Sequence, residues 1–564
     1  MQNQLPNQLP NPLRKRRQPF SPLYLGKISR SPGQRTRSVS PLLLLLGMLA
    51  AAAVLFSGCA TPEARAVRRG DIEDLEKFLA KGGDVNEPQR DGRTLLHVAA
   101  EYGQSESLEF LLANGAEPDP RDPGGITPFY LTMAIGRVDM GRSLLEAGAD
   151  LRTETSELRT PLFPAAAGGH AEAVEFLLDF GLDPDHRDAQ GRNPLHMLGK
   201  NSLTGIAGTL IAEGADVTAR SSSGSELPVH TAASAGAYEL VELYVRASSP
   251  EILSAEDSHG DRPLHRAMNS SINSRSSLNT MDSILSLGAD PAVPDGEDRL
   301  PVRIAVEELD SRHLQLLLGY GASLPRYVRD GRPGKSAQRT GLLHIAARRG
   351  TDDTGRILLE RGTDPDLIDD DGDTALMISV REEKWDFFQL LIQYNANPNI
   401  FDMEGKSPLL VALNRSSLQS EGLNSMTQTL IQRGGVLPNN YSLLIPVLEN
   451  AVANENIEVA RLLFNRGISG SAAGEDGEPL IFTAVRNADA DMLELLLIAG
   501  ADPNARNEEG LTPIMLLGDN TKLGEIRDIL LRAGAIDPDE ENSGTAGSEE
   551  SEDPTKKSED PTKN

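Results

Sequence analysis

Residues 94–100 read Thr-Leu-Leu-His-Val-Ala-Ala, and residues 110–116 read Phe-Leu-Leu-Ala-Asn-Gly-Ala. The same head and tail recur along nearly the whole chain. Related heads stand at Thr127-Pro128-Phe129-Tyr130, Thr160-Pro161-Leu162-Phe163, Asn193-Pro194-Leu195-His196, Leu227-Pro228-Val229-His230 and Arg262-Pro263-Leu264-His265. They continue at Leu300-Pro301-Val302, Gly341-Leu342-Leu343-His344, Thr374-Ala375-Leu376, Ser407-Pro408-Leu409, Pro479-Leu480-Ile481 and Thr512-Pro513-Ile514. Gly92 and Gly125, Gly191 and Gly224, and Gly372 and Gly405 are 33 residues apart within each pair, and Leu158 fills the slot between Gly125 and Gly191. A unit of this size cannot bury an apolar face alone, so the period argues for stacked repeats rather than several separate globular domains.

The residues inside each unit describe a pair of short helices. Pro after Thr starts a helix where its missing N–H costs nothing. Alanine pairs such as Ala99-Ala100 let helices approach closely, and leucine pairs such as Leu177-Leu178 face the stack. Gly148 and Gly181 fall where a left-handed residue ends a helix. The pattern Thr-Pro-Leu-His-x-Ala at this period resembles the ankyrin-repeat family. That resemblance implies an all-α solenoid of helix-turn-helix units with β-hairpin loops, spanning residues 64–538 with about 13 repeats plus an N-terminal cap. Residues 64–86 are expected to be that cap, because their tail is clear and their head is missing. The irregular middle carries polar insertions at 269–277 and 325–339, a further one at 415–425, and a repeat ending at Ser248-Ser249-Pro250 without a glycine.

Charge narrows the partners. The formal net charge is −28, and residues 1–58 hold only basic groups, so the remainder is more acidic still. An acidic surface argues against nucleic acid, which requires Lys and Arg against phosphates. Aromatic residues make up 4% of the chain, with one tryptophan, Trp385, so the core is expected to be chiefly Leu, Ala, Ile and Val. The tail from 539 to 564, where Ser551-Glu552-Asp553-Pro554-Thr555-Lys556 recurs from Ser558, has little to bury and is expected to be acidic and disordered.

The amino terminus has another character. A basic lead with Arg14-Lys15-Arg16-Arg17 precedes the apolar run Pro41 to Phe56, which has the length of a signal-peptide core and is short for a membrane span. Phe56-Ser57-Gly58-Cys59 then resembles the bacterial lipobox, with Phe56 where leucine is usual. The resemblance implies a lipoprotein signal peptide over 1–58, cleavage before Cys59, acylation of Cys59 and a lipid-anchored start over 59–63. Two or three acyl chains anchor a protein stably. The lead is long, so translation is expected to begin further in, near Leu25.

Chemistry-bearing motifs are sparse. Gly334-Lys335-Ser336 lacks the first glycine of a phosphate loop, since Arg329 stands there. Asp369-Asp370-Asp371-Gly372-Asp373, aligned as a calcium loop, puts Leu367 and Ile378 where carboxylates are required, and reads as an acidic hairpin tip. His97, His196, His230, His265 and His344 occupy the head slot, where the family's histidine makes local hydrogen bonds; His170 fits a second family position. His186, His259 and His313 are isolated in sequence. No cofactor, metal or catalytic set is expected.

The resemblance therefore implies a monomeric, lipid-anchored protein of the bacterial cell envelope that binds protein partners. Family contact slots carried onto this chain are Arg90, Arg93, Glu101, Tyr102, Glu157, Arg159, Arg192, Asp370, Asp373, Arg381, Glu404 and Lys406. The alternatives are a passive structural or protective envelope component, a host-directed effector and an enzyme assembled across repeats.

Overall fold

The structure, a computed structural model, describes residues 61–222, 224–268, 273–329, 338–415, 421–517 and 524–536. The apolar run 41–56, Cys59, residues 334–336 and the tail from 539 lie outside the described residues. One unit repeats throughout: a short inner helix, a turn, an outer helix and a hairpin loop. The first pairs are Pro62–Arg69 with Ile72–Ala80, Leu95–Glu101 with Ser105–Ala113, and Pro128–Ala134 with Val138–Glu146. The series runs to Ile481–Asn487 with Ala490–Ile498, and ends with a 3-10 turn, Met515–Leu517, and the helix Gly524–Arg532. Neighbouring inner helices pack together, as do neighbouring outer helices. The buried apolar residues form one cluster from Ala64 to Ala535. That core is chiefly aliphatic, but Phe129, Phe163, Phe387, Phe388, Phe482 and Tyr244 are its largest fully buried side chains.

The heads start helices for the reasons their residues suggest. Thr127 Oγ1 accepts from Tyr130 N (3.2 Å) ahead of Pro128, and Thr374 Oγ1 accepts from Met377 N (3.2 Å). The head of the first unit is not missing: Thr61 caps a helix that opens with Pro62, and Gly70 ends it at φ 72°. Glu63 and Ala64 stand in its Leu and His slots, which hid it in the sequence. The repeat array thus begins inside the stretch 59–63, two residues before the expected boundary.

The hairpin register holds with one correction. Leu158 takes the left-handed conformation (φ 57°) that Gly92, Gly125 and Gly191 take in their units. Thr155 holds it there, accepting from Leu158 N through its carbonyl (2.8 Å) and from Glu157 and Arg159 N through its hydroxyl. In the next hairpin Ser225, and not Gly224, is left-handed (φ 49°), because that loop is one residue longer. A non-glycine residue there costs roughly 1–2 kcal/mol, which the surrounding hydrogen bonds offset.

The insertions do not break the stack. Asn273 caps a long outer helix, Ser274–Ser286, so the second half of the polar insertion at 269–277 is helix and not loop. The insertion at 415–425 likewise supplies the start of the outer helix Glu421–Gln432. Within 325–339, Val328–Arg329 pairs antiparallel with Arg339–Thr340, which extends a hairpin. On either side of it, Pro301–Glu308 still packs on Leu342–Arg349, and Ser311–Gly319 on Asp352–Glu360. The unit without a C-terminal glycine ends its outer helix at Ala247 and turns through the 3-10 segment Pro250–Ser254.

Three sets of hydrogen bonds recur between neighbouring units. In the first, the head imidazole accepts from its own helix cap and donates forward. His97 Nδ1 accepts from Thr94 N (3.1 Å), and its Nε2 meets the Ile126 carbonyl (3.0 Å). His196 reaches Glu226 O, His230 reaches Ala255 O, His265 reaches Val293 O and His344 reaches Asp373 O, all within 3.1 Å. In the second, the start of an outer helix caps the preceding inner helix: Gln104 donates to Arg68 O, Arg137 to Gly103 O and His170 to Ala134 O. In the third, loop Asx side chains accept from the next unit: Asn86 from Glu117 N, Asp185 from Asp216 N, Asp366 from Asn397 N and Asn504 from Ile536 N. The carbonyls and amides that helix ends leave open are thus satisfied by the neighbour.

The imidazoles of His97, His196, His230 and His265 must be neutral, since Nδ1 accepts an N–H while Nε2 donates. Burial, above all, lowers the pKa of His196, His230 and His344 to about 4, and lowers those of His97 and His265. An unfolded chain protonates its histidines near 6.5, so between about pH 6.5 and 4 it binds more protons than the folded one. The stability these residues supply is complete above that window and is lost as pH falls through it. Thermal unfolding followed by circular dichroism is expected to shift to lower temperature from pH 7 to pH 4.5. His230→Ala is expected to cost about 1–3 kcal/mol and to flatten that dependence.

Candidate interaction surface

The hairpin loops are built around one side chain that folds back on its own backbone. Asp122 Oδ1 accepts from Gly124 N and Ile126 N (both 2.9 Å). Asp188, Asp257, Asp295, Asp369 and Asp402 repeat the arrangement, and Asn507 does so with an amide. The second carboxylate oxygen then attracts an arginine. Arg93 Nε meets Asp122 of the next hairpin at 3.2 Å, and Arg159 Nε meets Asp188 at 3.2 Å. Hairpin tips are therefore cross-linked by charge as well as by backbone.

This network takes up most of the residues expected to meet a partner. Arg93 also pairs with Glu101 (3.2 Å). Arg159 pairs with Glu157 (3.0 Å), and Arg192 shares Asp188 with Arg159 (2.9 Å). Asp370 pairs with Arg339 (3.1 Å), Asp373 with Arg381 (2.7 Å), and Glu404 with Lys406. Arg90 is exposed. Tyr102 is exposed too, with the Arg68 guanidinium 4.6 Å from its ring centre. The structure thus places these residues on hairpins and inner-helix ends, but joins them in separate pairs along the array, not in one cluster.

Asp369, Asp371 and Asp373 bring carboxylate oxygens within 4.8 Å of one another. Arg348 lies 3.3 Å from Asp369, and Arg381 binds Asp373, so guanidinium groups already balance two of the three charges. Burial raises the pKa of Asp369. The arrangement is an acidic hairpin tip whose charge is partly balanced by arginines.

One set was invisible in the sequence. His313 Nδ1 lies 2.6 Å from Asp310 Oδ1, and its Nε2 lies 3.3 Å from Ser277 Oγ. Nucleophilic catalysis uses these residue types. Here Ser277 and His313 are each 1% exposed, and the serine hydroxyl donates to Ala267 O (2.7 Å). The set therefore ties two repeats together and offers no nucleophile to a substrate. Its members are 33 and 36 residues apart, and only the helical extension at Ser274 aligns them. Burial opposes the Asp310 charge, but Arg312, Ser274 and His313 hold its carboxyl well below the usual range. Beside it a shallow groove of about 560 Å³ runs between the outer helices Ser274–Ser286 and Ser311–Gly319, with Leu278, Asp282, Arg312 and Tyr320 on its walls. Among the described residues no helix is long and apolar enough to cross a membrane.

Comparison with known proteins agrees with the stack. The family model described as "Ankyrin repeats (3 copies)" matches residues 64–155, 139–221 and 343–439, and the model "Ankyrin repeat" matches 476–508. A human protein, transient receptor potential cation channel subfamily A member 1, is 28% identical over 137 residues, which is 24% of this chain and 11% of that protein. The match therefore covers only a small part of that relative's length. The crystal structure of the human ASB11 ankyrin repeat domain is 25% identical, covers 41% of this chain and 100% of that one, and aligns with a TM-score of 0.36.

Asp188 concentrates the energetics of this surface. Burial opposes its charge, but the Arg192 amide and the Arg192 and Arg159 guanidinium groups outweigh that and lower its pKa. Asp188→Ala strips two amides and two arginines of their acceptor, and is expected to cost about 2–3 kcal/mol. Asp188→Asn keeps the amide bonds and is expected to cost less. Amide hydrogen exchange over residues 183–193 is the measurement, and it is expected to quicken in the order wild type, Asn, Ala. The contribution of this carboxylate persists above the carboxylate range and disappears as pH falls through it.

Proposed function

This chain is an ankyrin-repeat protein, and on that premise we propose that it is a protein-binding scaffold tethered to a bacterial envelope membrane through acylated Cys59. Ankyrin repeats suggest protein–protein interaction, and their fold is typically a non-enzymatic interaction scaffold. The observation that carries the reading is the register of the array. Its hairpins and inner helices follow one another from Pro62 to the 3-10 turn at Met515–Leu517, so equivalent positions recur once per unit along the array. Such a row suits an extended partner surface better than a small molecule, which needs an enclosing pocket.

The tether rests on the sequence alone. Phe56-Ser57-Gly58-Cys59 directly follows an apolar run of signal-peptide length. Among the described residues the first helix opens at Pro62, so cleavage before Cys59 removes none of the described repeats.

The paired charges favour a second reading, that of a passive spacer or shield. Arg93, Glu101, Arg159, Arg192, Asp373 and Arg381 already have partners within the chain. Each such pair must be broken before a partner can use either charge.

Two substitutions separate these readings. Cys59→Ser is expected to abolish fatty-acid labelling and to release the protein from membranes; labelling that persists overturns the tether. Arg90→Glu combined with Tyr102→Ala, in the tethered protein, is expected to remove cross-links to a partner in intact envelopes, as read by mass spectrometry. A spacer would keep its cross-linking pattern and lose its phenotype only with the tether.

A further inference from the structure

Ile368 and Phe401 fill the same slot of consecutive hairpins, immediately before the turn aspartates Asp369 and Asp402. They are 44% and 41% exposed, and Met403 at the tip is 78% exposed. Elsewhere the slot before the turn residue holds a charge, at Arg121, Glu154, Arg187, Arg220, Glu256 and Arg506, or a smaller apolar residue, at Pro88, Pro294 and Ala473. Single exposed apolar residues are ordinary, but these three stand on adjacent hairpins. Met403 N approaches the Asp371 carbonyl at 3.4 Å, and a Cβ on Gly372 would lie 2.6 Å from Met403 N. The two hairpins are therefore packed edge to edge, and the strip of exposed apolar residues they carry spans two repeats.

The surroundings of the strip are acidic. From residue 364 to residue 406 the chain carries eleven Asp and Glu against three Lys and Arg. Nearby cations are already engaged: Arg339 with Asp370, Arg348 with Asp369, Arg381 with Asp373 and Lys406 with Glu404. Asp364 and Asp402 meet backbone amides, and no cation lies within ion-pair distance of either among the described residues. An apolar strip set in negative potential selects its occupant by sign. Nucleic acid is repelled, and so is a second copy of a chain with net charge −28.

We propose that Ile368, Phe401 and Met403 form the docking site for a basic segment of a protein partner, with its apolar side chains on the strip and its Lys or Arg groups toward Asp364 and Asp402. This rests on the protein-binding reading above and narrows it to two hairpins.

The test uses the full chain and three labelled peptides of equal length, alternating lysine with leucine, lysine with serine, and glutamate with leucine. Fluorescence anisotropy is expected to show the lysine–leucine peptide binding more tightly than either other peptide, and weakening as salt rises. Phe401→Ser with Met403→Ser is expected to weaken it about tenfold. Ile498→Ser, at an exposed apolar residue on a distant repeat, is expected to leave it unchanged. All the altered side chains are exposed, and circular dichroism checks that the variants fold. If the lysine–serine peptide binds equally well, or the double variant keeps full affinity, the strip is overturned. The general scaffold reading survives that result as long as the cross-links lost in the Arg90 and Tyr102 variant are present in the wild type.

Discussion

An imidazole that accepts from its own helix and donates to the next repeat holds this array together. His97 fixes the start of Leu95–Glu101 with one nitrogen and the Ile126 carbonyl of the following hairpin with the other. Neither bond alone stacks anything. Together they make the angle between consecutive units a property of one rigid ring. A helix of seven residues is too short to persist in water by itself. Its end groups, its apolar face and its orientation are all settled by the neighbour. The pair of units, and not the single unit, is accordingly the smallest piece with a complete set of hydrogen bonds.

The array tolerates loss of the imidazole because other groups span the same gap. In the first unit Thr61 Oγ1 donates to Gln89 Oε1 (2.5 Å), a bridge between the same two neighbours from a different atom. At His344 the forward bond to Asp373 O remains, but Nδ1 is left without a partner. Gly341 is suited to its place, since a Cβ there would lie 2.8 Å from both His344 Nδ1 and Leu367. Insertions follow the same rule. Those at 269–277 and 415–425 lengthen outer helices at their first turns, and the one at 325–339 lengthens a hairpin. Among the described residues, Ser274–Ser286 and Glu421–Gln432 still pack on the preceding outer helices, and Pro301–Glu308 packs on Leu342–Arg349.

The helix pairs, the glycine slots and even Leu158 as a stand-in glycine could be read from the sequence because each depends on local residue type at a fixed period. The head of the first unit escaped notice because Glu63 and Ala64 replace its two most recognisable residues while Thr61 and Pro62 do the capping. Gly224 misled because a loop longer by one residue passes the left-handed role to Ser225. The Ser277–His313–Asp310 network had no local signature, since it needs two outer helices brought into line. The contact slots were legible as positions and not as free side chains. Which arginine finds which aspartate depends on the separation of neighbouring hairpins, and no single repeat encodes that.

Charge therefore acts on two scales in this molecule. Within contact distance the hairpin arginines and aspartates cancel one another, as Arg93 does with Glu101 and Asp122. Such pairs set the spacing of the tips and leave little unscreened charge to distinguish one partner from another. Beyond contact distance the surplus of carboxylates persists, and over roughly a Debye length of 8–10 Å it attracts basic surfaces and repels acidic ones without regard to detail. Discrimination then has to come from groups that the charge network does not use. On the hairpins of this array those groups are the few apolar side chains standing where other units carry a charge, so departures from the repeat pattern, more than the pattern itself, are where a specific partner can be recognised.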